Sequence, residues 1–143
     1  MKPKSICTFT ILLMIVCQPL LAHPTRSPLP DLRIRSFLSP PTAPQKLKVL
    51  VVNIGHVHSA PCVLRLTVIR IKGASVSRTT DVQVPGMAAG RLEWLLIDAS
   101  SILPKGIALS DTAFNIDVDP DDLVDEVNEK NNHLSYKPQV HAR

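Results

Sequence analysis

The stretch TAFNIDVDPDDLVDEVNEKNN, residues 112–132, joins the clearest strand pattern in the chain to its densest acidic segment. Phe114, Ile116 and Val118 alternate with polar residues, and a period of two indicates a strand with one buried face. Seven carboxylates then fall within residues 117–129, although the chain as a whole carries a net positive charge. The sequence therefore predicts a strand that runs into an acidic loop, defined here as residues 117–132.

The same alternation recurs along the chain and decides the fold class. The segments that show it are 31–37, 46–53, 62–72, 78–84, 91–97, 112–119 and 133–136. No segment has a sustained helical period. Seven short strands separated by turn signals predict an all-β, immunoglobulin-like antiparallel sandwich of two sheets over residues 31–137. The side chains predicted to face its core include Leu32, Val49, Val51, Leu66, Leu92, Trp94, Phe114, Ile116 and Leu134.

The third of these segments contains a break in its alternation. Leu64, Leu66 and Val68 share one parity, whereas Ile69 and Ile71 share the other. A slip of one residue would turn every later side chain to the opposite face of the sheet. The break therefore predicts a β-bulge near Val68 or Ile69.

The N-terminal segment has the pattern of a secretory signal peptide. A short basic start, an apolar core of twelve residues and a small residue at Ala22 predict cleavage after residues 1–22. Lipoprotein processing at Cys17 is the alternative, and the apolar run is too short to span a membrane comfortably. We expect a secreted or periplasmic protein with a flexible Pro-rich leader, residues 23–30, and a disordered tail, residues 138–143.

Removal of the signal peptide leaves Cys62 as the one cysteine of the mature chain. A single thiol cannot form an internal disulfide, so burial must hold the core together. Because Cys62 opens an apolar segment, we expect it to be buried and unbridged. An intermolecular bridge is the alternative.

The charge distribution argues against a nucleic-acid partner. After loss of the signal peptide the chain has 14 Lys and Arg against 12 Asp and Glu, with a charge of −7 in residues 117–129 and +9 elsewhere. The basic residues are scattered along the predicted strands and have no aromatic residues between them. A nucleic-acid groove would need both features clustered on one surface.

The acidic loop resembles a calcium-binding EF-hand only in part. A loop that starts at Asp117 would place ligands at Asp117, Asp119 and Asp121. Asp122, however, stands where the sharp turn needs glycine, and Asn128 stands where a bidentate glutamate belongs. The sequence therefore does not predict an EF-hand.

Two interpretations of the acidic loop remain open. In the structural one, Asp119-Pro120 opens a type I turn, Val124 folds back onto the sandwich, and polar side chains tie the loop to the last strand. The residues of that motif are Asp119, Pro120, Val124, Glu126, Glu129, Asn131 and Asn132. In the other interpretation a bound Ca²⁺ relieves the repulsion between carboxylates. Its candidate ligands are Asp117, Asp119, Asp121 and Glu126.

Other candidate sites are weaker. His56 and His58 point the same way on an extended segment, and with Cys62 they could hold zinc or copper, although exposed loop histidines explain the same pattern. His23 would become the N-terminal residue after cleavage and could hold copper through its amine and imidazole, but it lies on the leader. No nucleophile has a base and an orienting group near it in sequence, so we expect no enzymatic activity.

The end of the domain resembles the motif that closes the CARDB domain, the cell-adhesion-related domain found in bacteria. The matching residues are Val118, Asp119, Pro120, Val124, Glu126, Glu129, Asn131 and Asn132. The segments PDLRI, VVNIGHVHSAPCVLRLTV and LPKGIALSDTAFNIDVD also resemble the family, so the similarity covers roughly residues 30–136. The chain departs from the family pattern in a longer segment between Gly106 and Phe114. We also expect the domain to stand alone instead of being one unit of a large surface protein.

The resemblance implies an extracellular, immunoglobulin-like and non-catalytic module. We therefore expect a secreted binding or adhesion module without a membrane span, whose partner is a protein or a cell-surface glycan. The alternative is a Ca-binding structural or periplasmic accessory protein. Copper binding at His23 or at His56 and His58 is a third possibility, and no cofactor other than a possible Ca²⁺ is expected.

Overall fold

The computed structural model describes residues 28–138, so the predictions for the signal peptide, Cys17, His23 and the tail beyond residue 138 lie outside it. Seven strands and one 3-10 turn make up the described fold. They are β1 (Leu32–Leu38), β2 (Lys46–Asn53), β3 (Cys62–Ile71), β4 (Ala74–Val84), β5 (Leu92–Asp98), the 3-10 turn (Leu109–Asp111), β6 (Thr112–Val118) and β7 (His133–Tyr136). Over residues 28–138, no helix has the length and apolar character needed to cross a membrane.

The strands form two antiparallel sheets, which confirms the predicted sandwich. One sheet has the order β1-β2-β5 and the other the order β4-β3-β6-β7. The fourth strand pairs with β3, whereas in the constant-type immunoglobulin arrangement it joins the sheet of the first two strands. β5 is consequently an edge strand of the three-stranded sheet, where it pairs with β2.

The core lies between the inner faces of the two sheets. Its fully buried side chains include Leu32, Leu47, Val49, Val51, Leu64, Leu66, Val68, Phe114 and Ile116. Each such side chain contributes about 1.5–3 kcal/mol when it leaves water. The predicted burial of Leu32, Val49, Val51, Leu66, Phe114 and Ile116 is confirmed.

Aromatic packing joins β1 to the larger sheet. The ring of Phe37 meets those of Phe114 and Tyr136 edge-on, at centroid distances of 5.6 and 5.7 Å, and the latter two rings stack at 4.8 Å. A shift in the β1–β2 register between Ile34 and Ser36 gives β1 a bulge. The bulge adds one residue to the strand. Phe37 therefore faces the core as Ile34 does, although the two residues are three positions apart.

The predicted bulge in β3 is confirmed. The register shifts between Val68 and Arg70 in the pairing with β4 and again in the pairing with β6. Against β6 the extra residue is Ile69, at the break in alternation, whereas against β4 the extra residue belongs to β4. Lys72 and Gly73 then have φ values of 48° and 86°, which suit a two-residue hairpin whose twist matches the flanking strands.

The prediction for the buried face of β5 is wrong. Leu92 and Trp94 were expected inside, but they are 48% and 49% exposed. Pairing with β2 places Leu95 opposite Val49 and thereby turns the other parity of β5 towards the core. The segment is apolar at both parities, so alternation alone could not identify the buried side.

Leu134 was also expected inside and is only partly buried. It packs against the core from β7, a strand of four residues at the edge of its sheet. Because β7 pairs with β6 alone, Leu134 lacks the second neighbouring strand that a residue of a central strand would have.

Two connections close opposite ends of the sandwich. The segment between β5 and β6, residues 99–111, closes the end at which β6 begins, with Leu103, Ile107 and Leu109 buried. The acidic loop closes the end at which β6 finishes and β1 starts. This position puts the loop in contact with residues that precede β1.

Candidate functional site

Asp119 is the first residue of the acidic loop after β6, and it organises the loop backbone. It has a φ of 51°, a left-handed conformation that Asp tolerates better than most residues. Its N–H donates to the carbonyl oxygen of Val63 at 2.9 Å. Its carboxylate accepts the N–H groups of Leu123 at 3.2 Å and Val124 at 2.8 Å. Val124 is held in this way with 4% of its surface exposed, against the core.

A four-residue turn follows directly. The N–H of Asp122 donates to the carbonyl oxygen of Asp119 at 3.1 Å. Pro120 occupies the second position of this turn, where its ring fixes φ. Asp122 has a φ of 53° and is exposed, so it reverses the chain without contributing to the core.

Glu126 is the buried carboxylate of the loop, with 8% of its surface exposed. It accepts hydrogen bonds from the N–H of Leu32 and from Asn132 Nδ2, the latter at 3.2 Å. Burial raises the pKa of Glu126 to about 7, and the negative charges of Glu129 and Asp119 act in the same direction. The hydrogen bond from Leu32 opposes the rise, because it stabilises the charged form.

Further polar contacts tie the loop to the start of β1. The carboxylate of Glu129 accepts the N–H of Glu126 at 2.8 Å and Asn132 Nδ2 at 3.4 Å. Asn131 Nδ2 donates to Asp31 Oδ1 at 2.7 Å, across 100 residues of sequence. The loop is therefore fixed to β1 by side chains and to β3 by the backbone.

Arg65 connects the acidic loop to the β3–β4 pair. Its guanidinium donates two hydrogen bonds of 2.9 Å to Asp81 and two, of 3.0 and 3.2 Å, to Asp121. These hydrogen bonds raise the pKa of Arg65 further above its ordinary value. Part of the negative charge of the loop is thus balanced by a basic strand residue.

A row of hydrogen-bonded side chains that the sequence did not suggest consists of Asp117, His133 and Ser135. Asp117 Oδ1 lies 2.5 Å from His133 Nδ1, and His133 Nε2 lies 2.8 Å from Ser135 Oγ. This order matches that of a hydrolytic triad. However, the Ser135 hydroxyl donates to Asn115 Oδ1 at 2.8 Å. The row of side chains lies on the exposed surface of β6 and β7. Sequence reasoning missed it because the residues meet only through the β6–β7 register.

The four candidate calcium ligands do not converge in this structure. Their carboxylates contact different groups: Asp117 contacts His133, Asp119 the backbone, Asp121 Arg65, and Glu126 the N–H of Leu32. Within residues 28–138, no three His, Cys, Asp or Glu side chains form a group that could hold a metal ion. The donor set of the loop therefore does not fit Ca²⁺ as it is arranged here.

Cys62 is buried and unbridged, as predicted, with 4% of its surface exposed. Burial raises the pKa of its thiol to about 12, and the nearby charges of Asp119 and Glu126 add to the rise. His56 and His58 are exposed. The thiol of Cys62 is therefore neutral and buried, whereas the imidazoles of His56 and His58 are exposed.

Asn53, seen in the sequence only as the end of a strand, is a fully buried junction. Its Oδ1 accepts the N–H groups of Asp31 at 3.1 Å and Gly55 at 3.0 Å. Its Nδ2 donates to the carbonyl oxygens of Val57 at 2.8 Å and Met87 at 2.9 Å. Gly55 is required there, because a Cβ would lie 2.5 Å from the backbone nitrogen of Asp31.

The outward side of the β1-β2-β5 sheet, called here the outer sheet face, is the second candidate site. Leu92, Trp94 and Leu96 project from β5 and are each close to half exposed, and Leu38 on β1 is 57% exposed. A groove of about 330 Å³ runs between Leu38, Lys48, Trp94 and Leu96. Three large apolar side chains in one row on a strand are unusual for a surface in contact with water.

Basic residues lie beside the apolar row on the outer sheet face. Arg33 lies opposite Val52, and Lys48 lies between Leu38 and Leu96 in the strand register. Both cations are exposed, and neither forms an ion pair within residues 28–138. The face consequently has an apolar row on the edge strand β5 and cations on β1 and on the central strand β2.

Comparisons with known proteins agree with this architecture. The family model of the CARDB domain matches residues 29–136. A solved domain of a protein named as a cell surface protein, from Methanosarcina acetivorans, is 22% identical, with a TM-score of 0.57 over 79% of this chain and 95% of that one. The CARDB domain of a Pyrococcus furiosus protein, solved in complex with di-metal ions, is 18% identical. Its TM-score is 0.51, over 78% of this chain and 94% of that one. The sequence matches no curated protein significantly.

Proposed function

The chain belongs to the CARDB family, and from that premise we propose that it is a secreted, non-catalytic binding or adhesion module. Its binding surface in this proposal is the outer sheet face. The acidic loop has a different role, which is to hold β1 of one sheet to β3 and β7 of the other. Secretion rests on the signal-peptide pattern of residues 1–22.

The observation that carries the proposal is the apolar row of Leu92, Trp94 and Leu96 on β5. Each of these side chains exposes close to half of its surface, while Leu95 and Ile97 on the opposite side of the strand are buried. A strand that is apolar on both sides is typical of one covered on both sides. Within residues 28–138 only one side of β5 is fully covered, which supports contact of the other side with a partner.

The reactive groups of the domain support a non-catalytic role. The Cys62 thiol is buried and its pKa is raised to about 12, so it does not supply a thiolate at neutral pH. The Ser135 hydroxyl has a histidine neighbour, but it donates its hydrogen bond to Asn115 Oδ1. We expect no Ser135-dependent hydrolysis of an activated ester such as p-nitrophenyl acetate. A rate that falls with Ser135→Ala would contradict the non-catalytic assignment.

The binding role is tested by retention of the purified protein on envelopes from the cells that produce it. Trp94→Ala should lower retention at least about fivefold, because aromatic residues at the centre of an interface carry much of its binding energy. Ile54→Ala is the matched control, since Ile54 is 47% exposed but lies outside the outer sheet face. Equal retention of both variants and the wild type would refute the assignment of this face.

Calcium binding by the acidic loop is the alternative function. The P. furiosus relative was solved with di-metal ions, so a metal deserves a direct test in this chain. The present arrangement favours the structural role, because Asp119 and Glu126 are engaged by backbone N–H groups and Asp121 by Arg65. Binding of Ca²⁺ would require these contacts to be exchanged for metal ligands.

A further inference from the structure

The exposed apolar residues of the domain fall almost entirely into two regions. The large ones are Leu38, Leu92, Trp94 and Leu96 on the outer sheet face, Leu123 and Val127 on the acidic loop, and Ile54. The outer sheet face carries Arg33 and Lys48 beside its apolar residues, whereas the acidic loop carries carboxylates beside its own. Two apolar surfaces of opposite charge on one molecule are complementary to each other.

The acidic loop presents its exposed residues in an ordered row. Val124 and Glu126 are buried, whereas Leu123, Asp125 and Val127 are exposed, with Leu123 at 69% and Val127 at 58%. This alternation gives the loop an outward edge in which two apolar side chains flank a carboxylate. Asp125 forms no ion pair within residues 28–138 and is available to a partner.

Charge decides which surface of a second copy fits the outer sheet face. Two outer sheet faces packed together would bring Arg33 and Lys48 of one molecule close to the same cations of the other, and like charges in an interface are unfavourable. The acidic loop instead offers Asp125 to Lys48, and Leu123 and Val127 to the apolar row. The face therefore fits the loop better than it fits another face.

We infer that the protein associates head to tail, with the acidic loop of one copy bound to the outer sheet face of the next. Leu123 and Val127 occupy the groove beside Trp94 and Leu96, and Asp125 pairs with Lys48. This inference rests on the proposed function, since it names the partner of the same face. A heterologous contact of this kind leaves one loop and one face unused in every dimer, so it extends into chains or closes into rings.

The size of the surface sets the strength of the contact. Leu38, Leu92, Trp94 and Leu96 together expose apolar area on the order of 400 Å². Stable interfaces bury about 800 Å² on each partner. The apolar part of the contact is about half that size, so we expect a weak and reversible association. It also weakens as salt is added, because part of it is electrostatic.

Mixing two differently blocked variants tests the head-to-tail geometry. In the face-blocked variant, Trp94→Ala and Leu96→Ser remove apolar contacts of the sheet; in the loop-blocked variant, Leu123→Ser and Val127→Ser remove those of the loop. All four side chains are close to half exposed or more, so the fold should tolerate their loss. The experiment is sedimentation velocity of the purified proteins at increasing concentration.

The wild type should form species larger than a dimer, and each blocked variant alone should be monomeric. An equimolar mixture should give a dimer that grows no further, because one variant retains its loop and the other its face. Ile54→Ala should sediment as the wild type does. A charge exchange supplies a second readout: Lys48→Glu and Asp125→Lys should each weaken association at least about fivefold, and a mixture of the two should restore it.

Three results would overturn the inference. They are a wild type that stays monomeric at millimolar concentration, association that the loop-blocked variant retains, and a mixture of blocked variants that stays monomeric while the wild type associates. The second result would indicate face-to-face packing instead, because the loop-blocked variant keeps its outer sheet face. If association is absent but Trp94→Ala still lowers envelope retention, the outer sheet face binds a different partner and the proposed function stands without this inference.

Discussion

The two ends of the sandwich are closed by connections of similar length but different chemistry. Residues 99–111 place four apolar side chains over the core, namely Ala99, Leu103, Ile107 and Leu109. After β6 ends, the acidic loop places one apolar side chain, Val124, over the core and fixes it with carboxylate-to-backbone hydrogen bonds. One end is held mainly by the hydrophobic effect, and the other by charged groups that must lose water to act.

This difference has a consequence for the response of each end to conditions. Burial of Leu109 does not depend on pH, because no proton is involved. Glu126 is buried among other carboxylates and its pKa is raised to about 7, so the loop end changes with pH in the physiological range. The two ends should therefore be separable by experiment within one domain.

The largest effect is expected at the apolar end. Leu109 is fully buried, and Leu109→Ala should lower the free energy of unfolding by about 4 kcal/mol, to the same extent at pH 5.5 and pH 8. Leu123→Ala is the control in the acidic loop, where the side chain is 69% exposed and the change should stay within about 0.5 kcal/mol. Denaturant unfolding measures both values. A loss from Leu109→Ala that varied strongly with pH would contradict the distinction between the ends.

The next effect comes from Glu126. Its folded pKa of about 7 exceeds the ordinary value of 4.5, so the folded state binds the extra proton between these values and its stability falls as pH rises through them. Glu126→Gln removes this titration. The free energy of unfolding of the variant, relative to the wild type, should rise by about 3 kcal/mol between pH 4.5 and pH 8.

Two features make the Glu126→Gln experiment specific. Asn132 Oδ1 is buried and accepts no hydrogen bond from residues 28–138, so the new amide has an acceptor available if the Asn132 side chain rotates. Asp125→Asn is the matched control, because Asp125 is an exposed carboxylate in the same loop. It should show no such pH-dependent difference. Parallel pH profiles for Glu126→Gln and the wild type would refute the assigned role of Glu126.

A smaller effect isolates the hydrogen bonds of Asp119. Asp119 and Asp122 both have left-handed backbones, so alanine at either position carries the same conformational penalty of about 1 kcal/mol. Only Asp119→Ala also leaves the N–H groups of Leu123 and Val124 without an acceptor. It should therefore destabilise the protein by about 2 kcal/mol more than Asp122→Ala in denaturant unfolding. Equal losses would mean that the carboxylate of Asp119 is dispensable.

Strand positions and the β3 bulge were predictable because they depend on local alternation. The parity break after Val68 lies within a single segment and needs no knowledge of its neighbours. The buried side of β5 was not predictable, because Trp94 and Leu95 are both apolar and the choice is made by pairing with β2. Sequence alternation reports a buried face only where the other face is polar.

The candidate site followed the same rule. The acidic loop was visible in the sequence because its carboxylates are neighbours in the chain. Its partners were not, since Arg65 reaches Asp121 across 56 residues and Asn131 reaches Asp31 across 100. Such contacts depend on the sheet order β4-β3-β6-β7 and on where β1 starts, and neither is encoded in local periodicity.

The central claim is that the carboxylates of the acidic loop are used by the protein itself to hold its loop end together. Thermal unfolding in millimolar Ca²⁺ and in a chelator tests it most directly. We predict equal melting temperatures in the two conditions, because Asp119, Asp121 and Glu126 already have protein partners. A melting temperature raised by Ca²⁺, with the gain abolished by Asp121→Asn, would contradict the claim and establish the loop as a calcium site.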